Sequence, residues 1–142
     1  MTRIDFYTNA EPKLQVACQL AAKAVGQSLR VLIYAPDEAL ARTIDRLLWT
    51  FPSAGFLPHC FAGSALAAET PVLIARTDED AGHNQVLLNL AQESPAAFSR
   101  FERLIEIVGN DEEDRQAGRA RYRYYRDRGY AVGHVDLGKR TR

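Results

Sequence analysis

Short runs of apolar residues recur along the chain at intervals typical of β-strands separated by helices. The clearest is RVLIYA at Arg30–Ala35, an uninterrupted run of the kind that is buried on both faces of a parallel sheet. Other runs of strand length are Arg3–Thr8, Pro71–Arg76, Gln85–Ala91 and Glu102–Val108, and we expect a last strand within Gly129–Leu137.

Between these runs the apolar residues follow the spacing of amphipathic helices. Leu14–Val25 is rich in alanine and ends at Gly26, and a second helix follows Asp37, which we expect to be its N-cap or a first-turn acid. A short helix is expected around Ala96–Arg100. The apolar face of the second helix is formed by Leu40, Ile44, Leu47 and Leu48. Strands that alternate with helices predict an α/β protein with a layered sheet.

The most unusual segment is a charged helix predicted from Asp111 to Gly129. Four acids begin it and six arginines follow, an order that suits the dipole of a helix. At about 100° per residue, one stripe holds Arg115, Arg119, Tyr122 and Arg126, with Arg123 at its flank. The opposite face, Ala117, Ala120 and Tyr124, is expected to pack against the body of the protein.

Only Asp127 lies among these arginines, so most of them have no acidic partner one turn away. Charged runs on helices are commonly solvated faces. Because the acids are collected at one end, and because a tyrosine interrupts the stripe, we expect this surface to meet an anion instead.

The length of 142 residues is that of one ordinary domain. We expect a single α/β domain at 1–137 and a flexible basic tail at 138–142. With 46% hydrophobic and 25% charged residues, the composition is that of a soluble globular protein, and no apolar run has the ~20 residues of a membrane span. The start, MTRIDFYTNAEP, has no signal-peptide core, so we expect a cytoplasmic protein with Cys18 and Cys60 reduced.

Charge is distributed unevenly although the formal net charge is zero. Residues 115–142 hold nine lysines and arginines against two acids, whereas residues 1–114 hold nine against sixteen. This asymmetry favours a local anionic partner at the C-terminal end over a body that coats nucleic acid in general.

Motifs for catalysis and cofactors are missing from the sequence. The first strand is followed by YTNAEP without G-x-G-x-x-G, and RVLIY is followed by APDE, which puts carboxylates where phosphates would bind. The cysteines and histidines lack zinc-site spacing, and Ser64 lacks the G-x-S-x-G elbow. We therefore predict no cofactor, no metal and no catalytic residue.

Four aromatic residues lie in the connection after the second helix: Trp49, Phe51, Phe56 and Phe61. Aromatic residues in such a connection most often pack onto the core, and the residues alone favour that role. A tryptophan and a phenylalanine beside a helix can also be the anchors of a protein interface.

Several of these segments together resemble one known family. RVLIYAPDEALARTIDRLLWTFPSAGFLPH, then PVLIA, and finally DRQAGRARYRYYRDRGY resemble the chi subunit of the bacterial DNA polymerase III holoenzyme. The resemblance extends in order over nearly the whole chain. Its most specific parts are the LW…F-x-P-H loop and the R-x-R-Y-R-x-Y-R-x-x-G-Y ending.

The resemblance implies a non-catalytic accessory protein with a Rossmann-like, mostly parallel sheet, helices on both faces and no nucleotide-binding loop. It implies that the chain grips the acidic C-terminal tail of single-stranded DNA-binding protein and meets DNA only indirectly. The family's tail-binding residues correspond to Val108, Arg115, Arg119, Tyr122 and Arg123. The family commonly has lysine where Arg115 and Arg123 stand, so a planar fork replaces a point charge here.

A second partner is also implied by the resemblance. The family pairs with the psi subunit of the clamp loader, and the residues that face psi correspond to Trp49 and Phe56. In the absence of psi, another partner such as a repair helicase would take this face.

Two other functions are weighed against the tail-binding one. The basic, aromatic helix could bind single-stranded nucleic acid directly. The chain could also be an enzyme with an unrecognised site, which the missing motifs argue against.

Overall fold

The computed structural model describes residues 1–50, 57–77 and 82–140. They form seven strands: β1 (Arg3–Thr8), β2 (Val31–Tyr34), β3 (His59–Phe61), β4 (Val72–Ala75), β5 (Val86–Asn89), β6 (Arg103–Ile107) and β7 (Val132–Asp136). They also form three α-helices: α1 (Lys13–Gly26), α2 (Glu38–Thr50) and α3 (Glu112–Asp127). Short 3-10 helices lie at Ala67–Glu69, Phe98–Arg100 and Leu137–Arg140.

The seven strands form one parallel sheet in the order β3-β4-β2-β5-β6-β1-β7. In the register of β1, Phe6 lies beside Glu106 on one side and His134 on the other. The prediction of an α/β fold with a mostly parallel sheet is confirmed.

Successive strand residues point to opposite faces of the sheet and build two apolar layers. Ile33 and its equivalents on neighbouring strands pack against α1 and α2. Leu32 and its equivalents form the other layer. They are covered by Tyr125 of α3 and by Phe98 of the 3-10 helix at Phe98–Arg100. Helices therefore lie on both faces, as expected. Among the described residues, none of the helices is long and apolar enough to cross a membrane.

Helix ends follow the predicted signals. Asp111 caps α3, because its Oδ1 accepts the N–H of Asp114 at 2.8 Å. Asp37 does the same for α2 through the N–H of Leu40, at 3.0 Å. After α3, Gly129 has a φ of +87°, a left-handed conformation that glycine adopts without strain.

The predicted packing face of α3 was wrong. The helix buries Asp114, Gly118, Arg121 and Tyr125, whereas Ala120 and Tyr124 are exposed and Ala117 is half-buried. The sequence prediction had placed Ala117 and Ala120 on the inner face because they are apolar. An acid and an arginine take the inner positions instead, because each finds polar partners on the sheet.

One strand was missed and one helix was overestimated. His59–Phe61, read as part of an aromatic connection, pairs with β4 as an edge strand. The helix expected around Ala96–Arg100 is a single 3-10 turn at Phe98–Arg100.

Candidate functional site

A groove lies under α3 at the carboxyl ends of β1, β6 and β7 and encloses about 640 Å³. The strands β6 and β1 are neighbours, but the helix that follows β1 covers one face of the sheet and the helix that follows β6 covers the other. Such a point, where connections diverge, is where open α/β sheets place their ligand crevices. The groove is lined by Phe6, Thr8, Asn9, Val108, Gly109, Arg115, Gly118, Arg119, Tyr122, Arg123, His134 and Asp136.

One wall of the groove is basic. Arg115, Arg119 and Arg123 follow one another at four-residue intervals on α3, so their side chains share one side of the helix. The guanidinium of Arg115 donates to Asn9 Oδ1 at 3.3 Å. Arg119 lies 3.7 Å from the carboxylate of Glu112, a pair in which both side chains are 64% exposed.

Solvent weakens such an exposed pair, which contributes roughly 0–1 kcal/mol. Arg123 makes no hydrogen bond or ion pair with any residue in the described ranges. The basic wall therefore keeps most of its capacity to bind an anion.

The floor of the groove is apolar. Val108, which follows β6, is buried under Gly118. The ring of Tyr122 meets that of Phe6 edge-on, with centroids 5.6 Å apart. These four residues form an apolar notch directly beside the arginines.

The wall opposite the arginines comes from β7 and the end of β1. His134 Nε2 lies 2.7 Å from Thr8 Oγ1. Asn9 donates through Nδ2 to Asp136 Oδ1 at 2.6 Å. This wall is polar and holds both a titratable imidazole and one carboxylate.

The first turn of α3 is fastened to the sheet by Asp114. Its Oδ2 accepts the N–H of Gly109 at 2.6 Å and lies 2.9 Å from the ammonium of Lys13. Burial alone would raise the pKa of Asp114, but the Gly109 N–H and the Lys13 ammonium outweigh it and lower this pKa below its ordinary value. The carboxylate therefore stays ionised and holds the helix in place.

A buried polar network fastens the second half of α3. Arg121 Nε donates to Glu106 Oε1 at 2.8 Å, and the hydroxyl of Tyr125 donates to Oε2. Asn89 Nδ2 lies 3.1 Å from both carboxylate oxygens. Burial raises the pKa of Glu106, against the opposing effects of Arg121, Tyr125 and Asn89. Because Arg121 and Glu106 are almost wholly buried, this pair determines which side of α3 faces outward.

All five residues expected to bind the tail line this one groove: Val108, Arg115, Arg119, Tyr122 and Arg123. Arg126, placed on the same stripe by its spacing, is not among the lining residues and lies 3.3 Å from Asp127. Sequence reasoning missed the lining residues contributed by the strands. They follow or end parallel strands, and the rule that carboxyl ends share one edge of a sheet could have pointed to them.

The residues expected to face psi belong to another part of the molecule. Trp49 lies in the last turn of α2, which packs beside β3 and β4 at the edge of the sheet away from β7. It is 59% exposed, and its ring meets that of the buried His59 edge-on, at a centroid distance of 4.7 Å. Phe56 lies outside the described residues.

Metal and thiol chemistry find little support in the described ranges. No group of three or more His, Cys, Asp or Glu side chains there could hold a metal ion. Cys18 is buried, which raises its pKa to about 11 and keeps it a thiol at neutral pH. The fold and the groove together define an α/β domain with a binding crevice whose chemistry is cationic on one wall and apolar on the floor.

Comparison with known proteins identifies the family. The family model described as DNA polymerase III chi subunit, HolC, matches residues 1–133. DNA polymerase III subunit chi of Pseudomonas aeruginosa is 40% identical over 136 residues, which cover 93% of this chain and 94% of that protein. The Escherichia coli protein of the same name is 32% identical over 117 residues, covering 82% and 80%.

The chain belongs to the DNA polymerase III chi subunit family, as its resemblance indicated. Chi is an accessory, non-catalytic subunit of this polymerase, so the expectation of a protein without its own enzymatic activity is confirmed.

Solved structures share the fold. The C-terminal domain of S. cerevisiae Dbp5 bound to Gle1 and IP6 aligns with a TM-score of 0.59 at 11% identity, covering 96% of this chain and 90% of that one. Another structure of the C-terminal domain of the DEAD-box protein Dbp5 gives 0.57 at 14% identity, covering 97% and 91%. At these identities the likeness concerns the fold alone.

Proposed function

We propose that the groove binds the acidic C-terminal tail of single-stranded DNA-binding protein, and that the chain thereby connects this protein to the clamp loader. The observation that carries the proposal is the placement of Arg115, Arg119 and Arg123 along one wall of a groove whose floor is apolar. A surface that binds nucleic acid in general needs positive charge, but it does not need an apolar notch beside that charge.

The two halves of the groove match the two parts of such a tail. Guanidinium groups bind carboxylates through charge-assisted hydrogen bonds, often two at a time, so the arginines suit a run of acids and a terminal α-carboxylate. The apolar notch of Phe6, Val108, Gly118 and Tyr122 suits a terminal hydrophobic side chain. A volume of about 640 Å³ has room for one large side chain and the backbone that carries it.

The second proposed contact uses Trp49. Its indole is more than half exposed although it is held edge-on by His59, so it presents a fixed apolar surface to solvent. Fixed, exposed aromatic rings are common anchors of protein interfaces. We assign Trp49 and, from the family resemblance alone, Phe56 to the contact with the psi subunit or, in its absence, with another partner such as a repair helicase.

Direct binding of single-stranded nucleic acid is the second candidate. It is favoured by two arginines at the C-terminal end of α3 that lie outside the groove. Arg128 stacks over the ring of Tyr124 at 3.5 Å, and Arg126 is exposed beside Asp127. Stacked arginine and tyrosine side chains form platforms on which bases can lie.

Replacing Arg119 and Arg126 separately distinguishes the two candidates. Under the tail proposal, Arg119→Ala weakens binding of an acidic peptide with a C-terminal hydrophobic residue by about 1.5 to 3 kcal/mol, whereas Arg126→Ala has little effect. Isothermal calorimetry measures both, with circular dichroism as the folding control. Under the nucleic-acid candidate, both variants weaken binding of an oligothymidine and the peptide competes poorly. Unchanged peptide affinity in Arg119→Ala would refute the tail proposal.

A further inference from the structure

The side chain of Asn9 joins the two walls of the groove. Its Oδ1 accepts a hydrogen bond from the guanidinium of Arg115 on α3 at 3.3 Å, and its Nδ2 donates to Asp136 Oδ1 on β7 at 2.6 Å. The next arginine along the helix wall, Arg119, instead lies beside Glu112 of its own helix. Arg115 is therefore the arginine of this wall whose guanidinium Asn9 connects to the strands.

The orientation of the Asn9 amide follows from the chemistry of its two neighbours. A guanidinium only donates hydrogen bonds and a carboxylate only accepts them, so the amide presents its oxygen to Arg115 and its NH₂ group to Asp136. The carboxylate of Asp136 also accepts the N–H of Gly138 at 3.0 Å. The result is a directed chain of hydrogen bonds that ends on the guanidinium of Arg115.

The backbone around Asn9 fixes the position of its side chain. Asn9 follows β1 with a φ of +55°, a left-handed conformation that asparagine adopts more readily than most other residues. The N–H of Ala10 donates to the carbonyl oxygen of Val108 at 3.0 Å, which ties this turn to the floor of the groove. Gly138 lies so close that a Cβ on it would stand 3.3 Å from Asn9 Cβ and Nδ2. The amide is thus a fixed point beside the long and exposed side chain of Arg115.

We propose that Asn9 is a positioning residue of the groove, which holds the guanidinium of Arg115 where it binds a carboxylate of the peptide. This inference rests on the proposed tail binding and adds to it a residue outside α3 that acts through Arg115.

Holding the arginine strengthens binding because part of the ordering is done before the peptide arrives. A guanidinium has several N–H groups, so the bond to Asn9 leaves others of Arg115 for a carboxylate. A long side chain without such a bond loses its rotamer freedom only when the ligand binds, and that loss lowers the affinity.

The test removes the amide without straining the backbone. Asn9→Gly keeps the left-handed conformation, which glycine adopts freely, and deletes the bond to Arg115. Ser28→Gly is the matched control. Ser28 is the other non-glycine residue with a positive φ in the described ranges, at +65°, and it follows the far end of α1 and does not line the groove.

The ligand is an N-acetylated acidic peptide that ends in a hydrophobic residue and a free carboxylate. Its affinity is measured by fluorescence anisotropy at low salt, where charged contacts are screened least, so that weakened variants still give a measurable signal. Circular dichroism confirms that each variant is folded.

Asn9→Gly should bind the peptide about 2- to 10-fold more weakly than the wild type, the factor that ordering one long side chain costs. Ser28→Gly should bind like the wild type. In a chain that already carries Arg115→Ala, adding Asn9→Gly should have no further effect, because the guanidinium that Asn9 positions is absent. Added to Arg119→Ala, it should again weaken binding about 2- to 10-fold.

Three results would overturn the inference. The first is an Asn9→Gly variant that binds like the wild type, and the second is a Ser28→Gly variant that loses as much affinity. The third is an equal effect of Asn9→Gly with and without Arg115, which would show that Asn9 contacts the peptide or shapes the groove by itself. All three leave the tail proposal intact, because the wild type still binds. A wild-type protein that does not bind the peptide instead refutes the tail proposal and the inference with it.

Discussion

Gly118 lies so close to Val108 that a Cβ on the glycine would stand 2.7 Å from the valine Cγ2. Helix α3 can approach the sheet at this point only because residue 118 has no side chain. The same close approach forms the floor of the groove between the arginines and the strands. One glycine in the middle of a helix therefore sets both the packing of α3 and the depth of the notch.

Replacing Gly118 with alanine should destabilise the protein. In an exposed helix the same change would stabilise by about 1 kcal/mol. Here the added methyl group meets a β-branched side chain with little freedom to move, and overpacking of this kind costs about 1 to 3 kcal/mol. Urea denaturation gives the change in free energy of unfolding. Ala120→Gly, at an exposed position of the same helix, is the reverse control and should cost about 1 kcal/mol. A more stable Gly118→Ala variant would show that the close approach is not a constraint.

Peptide binding at the groove should weaken with salt but persist. The contacts to Arg115, Arg119 and Arg123 are exposed, so raising the salt from about 0.1 M to about 1 M shortens the screening length from about 10 Å to about 3 Å. The contact with the apolar notch is insensitive to screening. Calorimetry at both salt concentrations should therefore show reduced but measurable affinity.

The control for that experiment is a peptide without its terminal hydrophobic residue. It should bind weakly at low salt and lose detectable binding at high salt. Equal affinities of the two peptides would contradict a mechanism in which the notch of Phe6, Val108, Gly118 and Tyr122 takes part.

Asp114→Asn should destabilise the protein at neutral pH by about 1 to 3 kcal/mol, the cost of weakening a largely buried charged hydrogen-bond system. Since the folded state lowers the pKa of Asp114, its contribution is complete above the ordinary value of about 3.9 and is lost as the pH falls through the lowered value. The difference in unfolding free energy between wild type and variant should thus shrink below about pH 4.

Urea denaturation at several pH values measures this difference. Glu113→Gln is the matched control, because Glu113 is the exposed neighbouring acid in the same turn. It should change stability by no more than about 0.5 kcal/mol. A gap between wild type and Asp114→Asn that is as large at pH 3 as at pH 7 would show that ionisation of Asp114 does not hold the helix.

Trp49→Ala should leave the free energy of unfolding nearly unchanged, within about 1 kcal/mol, because the indole is 59% exposed. The neighbouring Leu48 is 1% exposed, so Leu48→Ala should cost about 2 to 5 kcal/mol and provides the control. Circular dichroism is the appropriate signal, since Trp49 is the single tryptophan of the chain. If Trp49→Ala lowered the free energy of unfolding by about 3 kcal/mol or more, Trp49 would be a core residue, and the basis for assigning it a partner would be removed.

Local sequence patterns were enough to predict the class of fold and the cationic wall of the groove. Apolar runs such as Val31–Tyr34 identify strands because burial on both faces requires every residue to be apolar. The alignment of Arg115, Arg119 and Arg123 follows from the period of the helix, which is a local property. The same period placed Tyr122 beside them, and the family resemblance, confirmed by comparison, added Val108.

Tertiary contacts decided the rest, because they join residues that are far apart in the chain. The rotation of α3 depends on the pairing of Arg121 with Glu106, which hydrophobic periodicity does not detect. The strand wall depends on a bond between Thr8 and His134, 126 positions apart. Local patterns carry information about which face of an element is apolar. Only the packed structure decides which polar side chains find buried partners and which remain exposed to a ligand.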